Sequence, residues 1–421
     1  MRVLILNQYA LPAGEAGITR HGEIGAELVK RGHHVTVIAS DFDYLTRRPT
    51  RRSTKGRTSC HDGVNFIWTR TGSYVANDRR RLASMLRYGI SATWTGFGQR
   101  PKPDIVVGSS PQPLAPLAAS LVARLRRVPW IFEVRDFWPS ALVDMRAISR
   151  NGTTHRLLER LERYLYGSAD AVVSVPPRGS LRLKELGIDP AKNTHIPNAA
   201  WEIATEPEPL PDTLGRLLTE ADDRFLLVYT GAIGVMQDFE NVLAAISQLK
   251  QSHHEHYQRL TVVLVGGGVA SESILRKAAE RGLEHVHVHP AVAKPVARSL
   301  LLHADACLLS LAPADAFRYG LSPNKLFDYF AAGKPVLMAA AHPTLVDEAQ
   351  AGIRFMPGDP VALTNAIVNM MDAPDAERAA MGARGRELVE TEYSIGVITD
   401  RYETLLQDSV ARRRTSSREP H

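Results

Sequence analysis

Cysteine is almost absent from this chain of 421 residues: Cys60 and Cys307 stand far apart, in no metal-ligand or redox spacing. That excludes a disulfide framework and a cysteine-based zinc site, and it fits a reducing cytoplasm. Long apolar runs are missing as well. No stretch of about twenty uncharged apolar residues occurs, so no helical membrane span is expected. The opening M-R-V-L-I-L-N-Q has too short an apolar run for a signal peptide and reads as a first strand. Neither a G-x-G-x-x-G dinucleotide fingerprint nor a P-loop is present, which argues against a nicotinamide oxidoreductase and a P-loop NTPase. His253, His254 and His256 have no carboxylate or cysteine partners at metal-site spacing and read as solvent-facing; no metal and no cofactor are expected.

What is present is a charge imbalance. Residues 1–200 hold 30 Lys and Arg against 16 Asp and Glu, a net of +14; the remaining 21 and 29 leave residues 201–421 at −8, within a total of +6. The first half attracts anions. It has no nucleic-acid motif and no aromatic–basic interleaving, so nucleic acid is not the expected partner. An anionic membrane surface carrying a lipid-diphosphate acceptor explains the charge more economically.

Apolar strand patterns at Val3–Leu6, Val35–Ile38, Ile105–Gly108, Trp130–Val134 and Ala171–Val175 alternate with helical patterns. The same grammar restarts at Phe225–Tyr229 and continues through Leu260–Val265, Val286–Val288, Ala306–Leu309 and Val336–Ala339. Continuous apolar strands between amphipathic helices predict parallel sheets covered on both faces, hence two doubly wound Rossmann-like α/β domains. The acidic, proline-rich W-E-I-A-T-E-P-E-P-L-P from Trp201 to Pro211 separates them, giving domains 1–205 and 206–390. A last helix follows, with Tyr393, Ile398, Tyr402 and Leu405 on one stripe, and 409–421 reads as a disordered tail. R-R-P-T-R-R-S-T-K-G-R at Arg47–Arg57 is a cationic loop. The helical pattern from Asp78 to Arg100 sets Leu82, Met85, Leu86, Ile90 and Trp94 on one face among arginines. That face suits either a membrane interface or the first-domain core.

The most informative stretch is L-S-P-N-K-L-F-D-Y-F-A-A-G-K-P-V, Leu321–Val336. A helix starting at Pro323 places Lys325 beside unbonded N–H groups, a site for phosphate, and Asp328 one turn on can accept from two ribose hydroxyls. Gly333 closes the helix. Glycine loops follow the first strands of both halves: Pro12-Ala-Gly14-Glu-Ala-Gly17 before the helix at Arg20, and Thr230-Gly231-Ala-Ile-Gly234-Val-Met-Gln237. Each serves either as a turn or as a close backbone approach to an anion. Gly266-Gly267-Gly268 ends a third strand in the same way. Arg135-Asp136, in E-V-R-D-F-W-P, ends a first-domain strand, where open α/β sheets bind ligands. Arg135 cannot be a base. Asp136 suits an acceptor hydroxyl, or an ion pair that holds Arg135.

This ordered series resembles the family 4 retaining glycosyltransferases, and in R-D-x-W-P and G-x-I-G-x-x-Q the subgroup that builds bacterial O-antigen and exopolysaccharide. Ile196-Pro-Asn198 looks like the I-P-N that ends that family's first domain. The resemblance implies a GT-B fold, its two domains facing a cleft, with helix 391–408 crossing back to the first. It implies transfer of a hexose or acetamido-hexose from a nucleotide diphosphate sugar, UDP-linked, to a saccharide or polyprenyl-linked acceptor in surface polysaccharide assembly, at the inner face of the plasma membrane. It assigns Arg135, Asp136 and Lys325 to catalysis. Donor contacts fall to Gly17, Gly231, Gly234, Gln237, Gly266, Gly267, Val292, Asn324, Lys325 and Asp328. Gly14 and Arg20 belong to an acceptor or diphosphate loop. The chain departs from the family at Ala232 and Gln237, where Arg and Lys are usual, and at Gly320, where an acidic residue is usual. An epimerase of the same architecture and an inactive UDP-sugar-binding protein remain as alternatives.

Overall fold

The computed structural model describes residues 1–15, 17–43, 48–49, 57–74, 79–144, 148–200, 207–221, 223–268 and 270–416. The chain forms two compact units, one of Met1–Asn198, Asp315–Ser322 and Ile395–His421, the other of Ala199–Ala314 and Pro323–Ser394. The units thus divide at Asn198, short of the linker proposed from sequence, most of which lies outside the described residues.

The first unit carries strands β1 (Arg2–Leu6), β2 (His34–Ser40), β3 (Phe42–Asp43), β4 (Arg48–Pro49), β5 (Thr58–His61), β6 (Val64–Thr69), β7 (Ile105–Ser109), β8 (Trp130–Val134), β9 (Ala171–Ser174) and β10 (Asn193–His195). Its main sheet runs β10-β9-β8-β7-β1-β2-β6-β5, parallel except for the edge strand β5. Helices α1 (Arg20–Lys30), α2 (Arg79–Phe97) and α3 (Leu114–Arg126) cover it. Leu4, Val106, Phe132 and Val172 from four neighbouring strands share a core with Tyr88 of α2 and Val122 of α3. β7 and β8 are buried at every position, as parallel strands covered on both faces must be.

The face of α2 differs from one of the two sequence readings. Of its apolar stripe only Met85 is buried; Leu82, Leu86, Ile90 and Trp94 are exposed, and the helix packs through Ser84, Met85, Tyr88, Ala92 and Gly96. Small residues let α2 lie close to α3, which displaces the large apolar side chains from the contact.

The last helix also departs from expectation. It spans Ile395–Ser416, so the tail expected from 409 is helical as far as the described residues go, with Ser409 and Val410 buried. Tyr393 precedes it, ending a separate helix Asp375–Glu392. Within the first unit the helix is fastened to α1 and its exit: Arg31 donates to Asp400, Glu403 and the Gly396 carbonyl, and His33 pairs with Glu403 at 2.8 Å.

The second unit carries β11 (Phe225–Thr230), β12 (Leu260–Val265), β13 (Val286–His289), β14 (Ala306–Leu309), β15 (Val336–Ala339) and β16 (Gly352–Phe355). They form one parallel sheet in the order β13-β12-β11-β14-β15-β16. Both sheets reverse direction beside their first strand, β1 and β11, and ligands of doubly wound sheets sit at the carboxyl ends there.

Candidate functional site

In the second unit the glycine turn after β11 and the helix Asn324–Ala331 come together. Pro323 is the N-cap of that helix, one position earlier than the first-turn place expected for it, and Gly333 ends it at φ +66. Lys325 extends from the first turn to Gly231. Its Nζ donates to the Tyr229 hydroxyl at 2.6 Å and lies 4.2 Å from the centroid of the Tyr229 ring. Tyr229 in turn donates to the Ala232 carbonyl. Among the described residues the ammonium therefore meets an aromatic face and a hydroxyl but no carboxylate, and desolvation pushes the Lys325 pKa down to about 7. An anion placed here would restore its charge.

The walls of this pocket require glycine. A Cβ on Gly266 would lie 1.7 Å from the Gly231 carbonyl oxygen. Backbone bonds fix the loops to one another: Gly231 N–H to Val265 O at 2.9 Å, Ile233 N–H to Gly267 O at 2.9 Å, and Gly266 N–H to His289 O at 2.9 Å. Gly267 approaches Ala291, the residue before Val292, so the β11, β12 and β13 loops meet. Gln237 lies in the single helical turn after Gly234, whose N–H donates to its Oε1 at 3.0 Å, leaving the amide nitrogen as a donor. Asn324 is exposed at the head of its helix.

Asp328 has a partner that the sequence did not reveal. Arg298, in the helix Lys294–Leu301, donates its Nε to Asp328 Oδ1 at 3.0 Å, both side chains being about one-sixth exposed. The pair orients the carboxylate and leaves its other oxygen for hydroxyl donors.

In the first unit the carboxyl ends of β1, β7 and β8 carry a buried network around Glu133. It accepts from Ser109 Oγ at 2.9 Å and Arg20 Nε at 3.2 Å, and pairs with His21 Nε2 at 2.8 Å. Burial alone would raise the Glu133 pKa, but Arg20 and His21 hold it well below the usual carboxylate range. Arg20 also donates to the Ile196 and Pro197 carbonyls. Arg20, expected in an acceptor or diphosphate loop, is 4% exposed, and its guanidinium fastens α1 to Glu133 and to the I-P-N segment. Gly14 and Gly17, both at positive φ, form the turn that leads into α1. Arg135 is half-buried, its N–H donating to Ser110 Oγ at 2.8 Å, and Asp136 is exposed. Gly320 explains why no acid stands there. At φ +91 it packs in the first unit against Pro177, where a Cβ would come within 2.4 Å of Pro177 Cγ.

Two family models match this chain: the glycosyl transferase 4-like domain over residues 16–199 and the glycosyl transferases group 1 domain over residues 224–373. Together with the fold, they define the class: the chain belongs to the family 4 glycosyltransferases. It is 26% identical over 296 residues to WbjE of Pseudomonas aeruginosa, described as a glycosyltransferase, covering 69% of this chain and 71% of that one. It is 24% identical over 331 residues to WcaI of Escherichia coli K12, described as a colanic acid biosynthesis glycosyl transferase, covering 76% and 78%. Among solved structures, sucrose-phosphate synthase from Thermosynechococcus elongatus matches with a TM-score of 0.74 at 16% identity, covering 98% and 99% of the two chains. HepE of Anabaena, solved with UDP and glucose, matches with a TM-score of 0.67 at 14% identity, covering 97% and 100%. WaaG, a glycosyltransferase involved in lipopolysaccharide biosynthesis, matches with a TM-score of 0.65 at 15% identity, covering 96% and 99%. These likenesses establish a GT-B fold.

Proposed function

We propose that this glycosyltransferase moves a hexose or acetamido-hexose from a UDP-linked donor, with retention of anomeric configuration, to a lipid-linked saccharide in surface polysaccharide assembly. The observation that carries the reading is Lys325, a cation held at the head of a helix against Tyr229 and Gly231 with a depressed pKa. Such a group favours an anion strongly, and more so as charge develops on a leaving diphosphate. The colanic acid biosynthesis role given for WcaI and the UDP bound by HepE support the pathway class and the donor.

In the reaction the bond between the anomeric carbon and the diphosphate oxygen breaks as the acceptor hydroxyl attacks from the same face. Its proton passes to the departing phosphate oxygen. Lys325 and the helix N-terminus stabilise the diphosphate, which the Gly231 and Gly266 loops leave room for, while Asp328, held by Arg298, takes the ribose. Arg135 we assign to the diphosphate and Asp136 to the acceptor hydroxyl; no metal is assigned. Replacing Lys325 or Arg135 with Met tests this. Turnover should fall more than the donor KM rises, because the charge is greatest in the transition state. An effect confined to KM would reduce both residues to ground-state binders.

A further inference from the structure

The described residues of α2 display an apolar stripe that its own unit does not cover. Leu82, Leu86, Ile90 and Trp94 recur at every fourth position and Phe97 follows; Ile90 is 63% exposed and Trp94 71%. Single exposed apolar residues are ordinary, but five large ones on one helix face are an interaction surface. The neighbouring α3 enlarges it with exposed Leu121 and Leu125, Val122 of α3 lying against Gly96 of α2.

The charge around this face is predominantly positive. Between Arg79 and Phe132 the sequence has nine Lys and Arg and a single acidic residue, Asp104. The Arg126 guanidinium lies 5.8 Å from the Phe97 ring centroid, at the end of the stripe. The next residue, Arg127, lines a hollow of about 760 Å³ together with Arg2, Lys102, Arg413 and Arg414, in which Asp104 is the acidic side chain. An apolar ridge bordered by cations complements a bilayer with anionic headgroups: the side chains enter the acyl boundary while the arginines meet phosphate.

We infer that the α2–α3 face of the first unit seats the protein on an anionic lipid bilayer, with Leu86, Ile90, Trp94 and Phe97 inserted and the adjoining cationic hollow taking headgroup phosphate. The inference deepens the lipid-linked acceptor reading and rests on it for purpose, but not for evidence. Pure charge attraction would fade as salt rises; an inserted ridge keeps part of its hold.

The experiment uses the full chain with vesicles of phosphatidylcholine, alone or mixed with phosphatidylglycerol, and reads co-sedimentation. The parent binds the mixed vesicles and only weakly the neutral ones. A variant carrying Leu86→Ser, Ile90→Ser and Trp94→Ser loses vesicle affinity by more than about tenfold. Its melting temperature and UDP affinity do not change, since all three side chains already face solvent. A second variant, Arg79→Gln with Arg124→Gln, weakens binding to mixed vesicles only. The inference is overturned if the parent ignores the mixed vesicles or if the serine variant binds as the parent does. It is likewise overturned if the serine substitutions turn a dimer into a monomer in sedimentation velocity, which would make the face a contact between copies. UDP binding measured alongside separates the two readings. UDP binding without vesicle binding removes only this inference, and the reverse removes only the proposed donor.

Discussion

Binding of UDP should draw a proton onto Lys325. In the ligand-free protein desolvation pushes its pKa down to about 7, so at pH 8 the neutral amine predominates. A diphosphate beside the ammonium favours the protonated form, and recovery of the ordinary value near 10.5 would take up most of one proton per UDP at that pH. The terminal phosphate of UDP, with an ionisation near 6, is by then deprotonated and adds little. Isothermal titration calorimetry in HEPES and in Tris gives the uptake directly, as the dependence of the apparent enthalpy on the buffer's ionisation enthalpy. Affinity should fall about tenfold per pH unit above roughly pH 7.5, until the pKa of the complex is reached. Lys325→Met should abolish both the uptake and the pH dependence. The stability of the ligand-free protein carries the matching sign. Between about 7 and the unfolded value of 10.5 the unfolded chain binds more protons, so the Lys325 contribution rises with pH in that window, and it is least favourable below 7, where the charge must be held in both states. Uptake near zero in the parent, or uptake unchanged by Lys325→Met, would refute the placement of the diphosphate at this lysine.

Three further outcomes follow from the geometry. Arg20→Met leaves Glu133 buried with a lost partner and should cost about 3–5 kcal/mol, read as a fall in denaturant midpoint; an unchanged midpoint would remove the network from the fold's support. Gly266→Ala forces a Cβ against the Gly231 carbonyl and should abolish UDP binding, which calorimetry would show; full affinity would mean that the two loops do not need their close approach. Asp328→Ala should weaken UDP by about 1.5–3 kcal/mol, and Arg298→Met by less, because it only loosens the carboxylate; equal affinity for 2′-deoxy-UDP and UDP in the parent would argue against a ribose contact.

Much of this was legible before the structure because parallel strands advertise themselves. Runs such as Leu260–Val265, buried at every position, have no other stable setting than a sheet covered on both faces. The clamp helix was legible from Pro323, Lys325 and Gly333, since end residues of a helix follow from its unpaired backbone groups. The hairpin β5–β6 was overlooked although Asp62-Gly63, both at positive φ, is a two-residue turn signal. Its strands alternate rather than run continuously apolar, and a cationic loop precedes them. The buried partner of Arg20 was not legible, because an arginine beside a glycine turn looks the same whether it meets a phosphate or a buried carboxylate. Only the 113-residue separation closed by its bond to Glu133 distinguishes them. Arg298 stood outside every motif, and its pairing with Asp328 depends on how two helices pack. The tail reads as too charged to order, yet Ser409 and Val410 are buried on a continuing helix whose terminal arginines are exposed.

The central claim is retaining transfer from a UDP-linked hexose, and the anomeric outcome tests it most directly. The full chain should be incubated with a panel of α-linked UDP-hexoses and UDP-acetamido-hexoses and with lipid-linked saccharide acceptors. The H1–H2 coupling of the newly formed linkage is then read by NMR. The account predicts that one donor is consumed, that UDP appears in step with product, and that the new linkage is α, all abolished by Lys325→Met. A β-linked product would contradict retention, and UDP binding with no transfer or with isomerised UDP-sugar would contradict transferase chemistry itself.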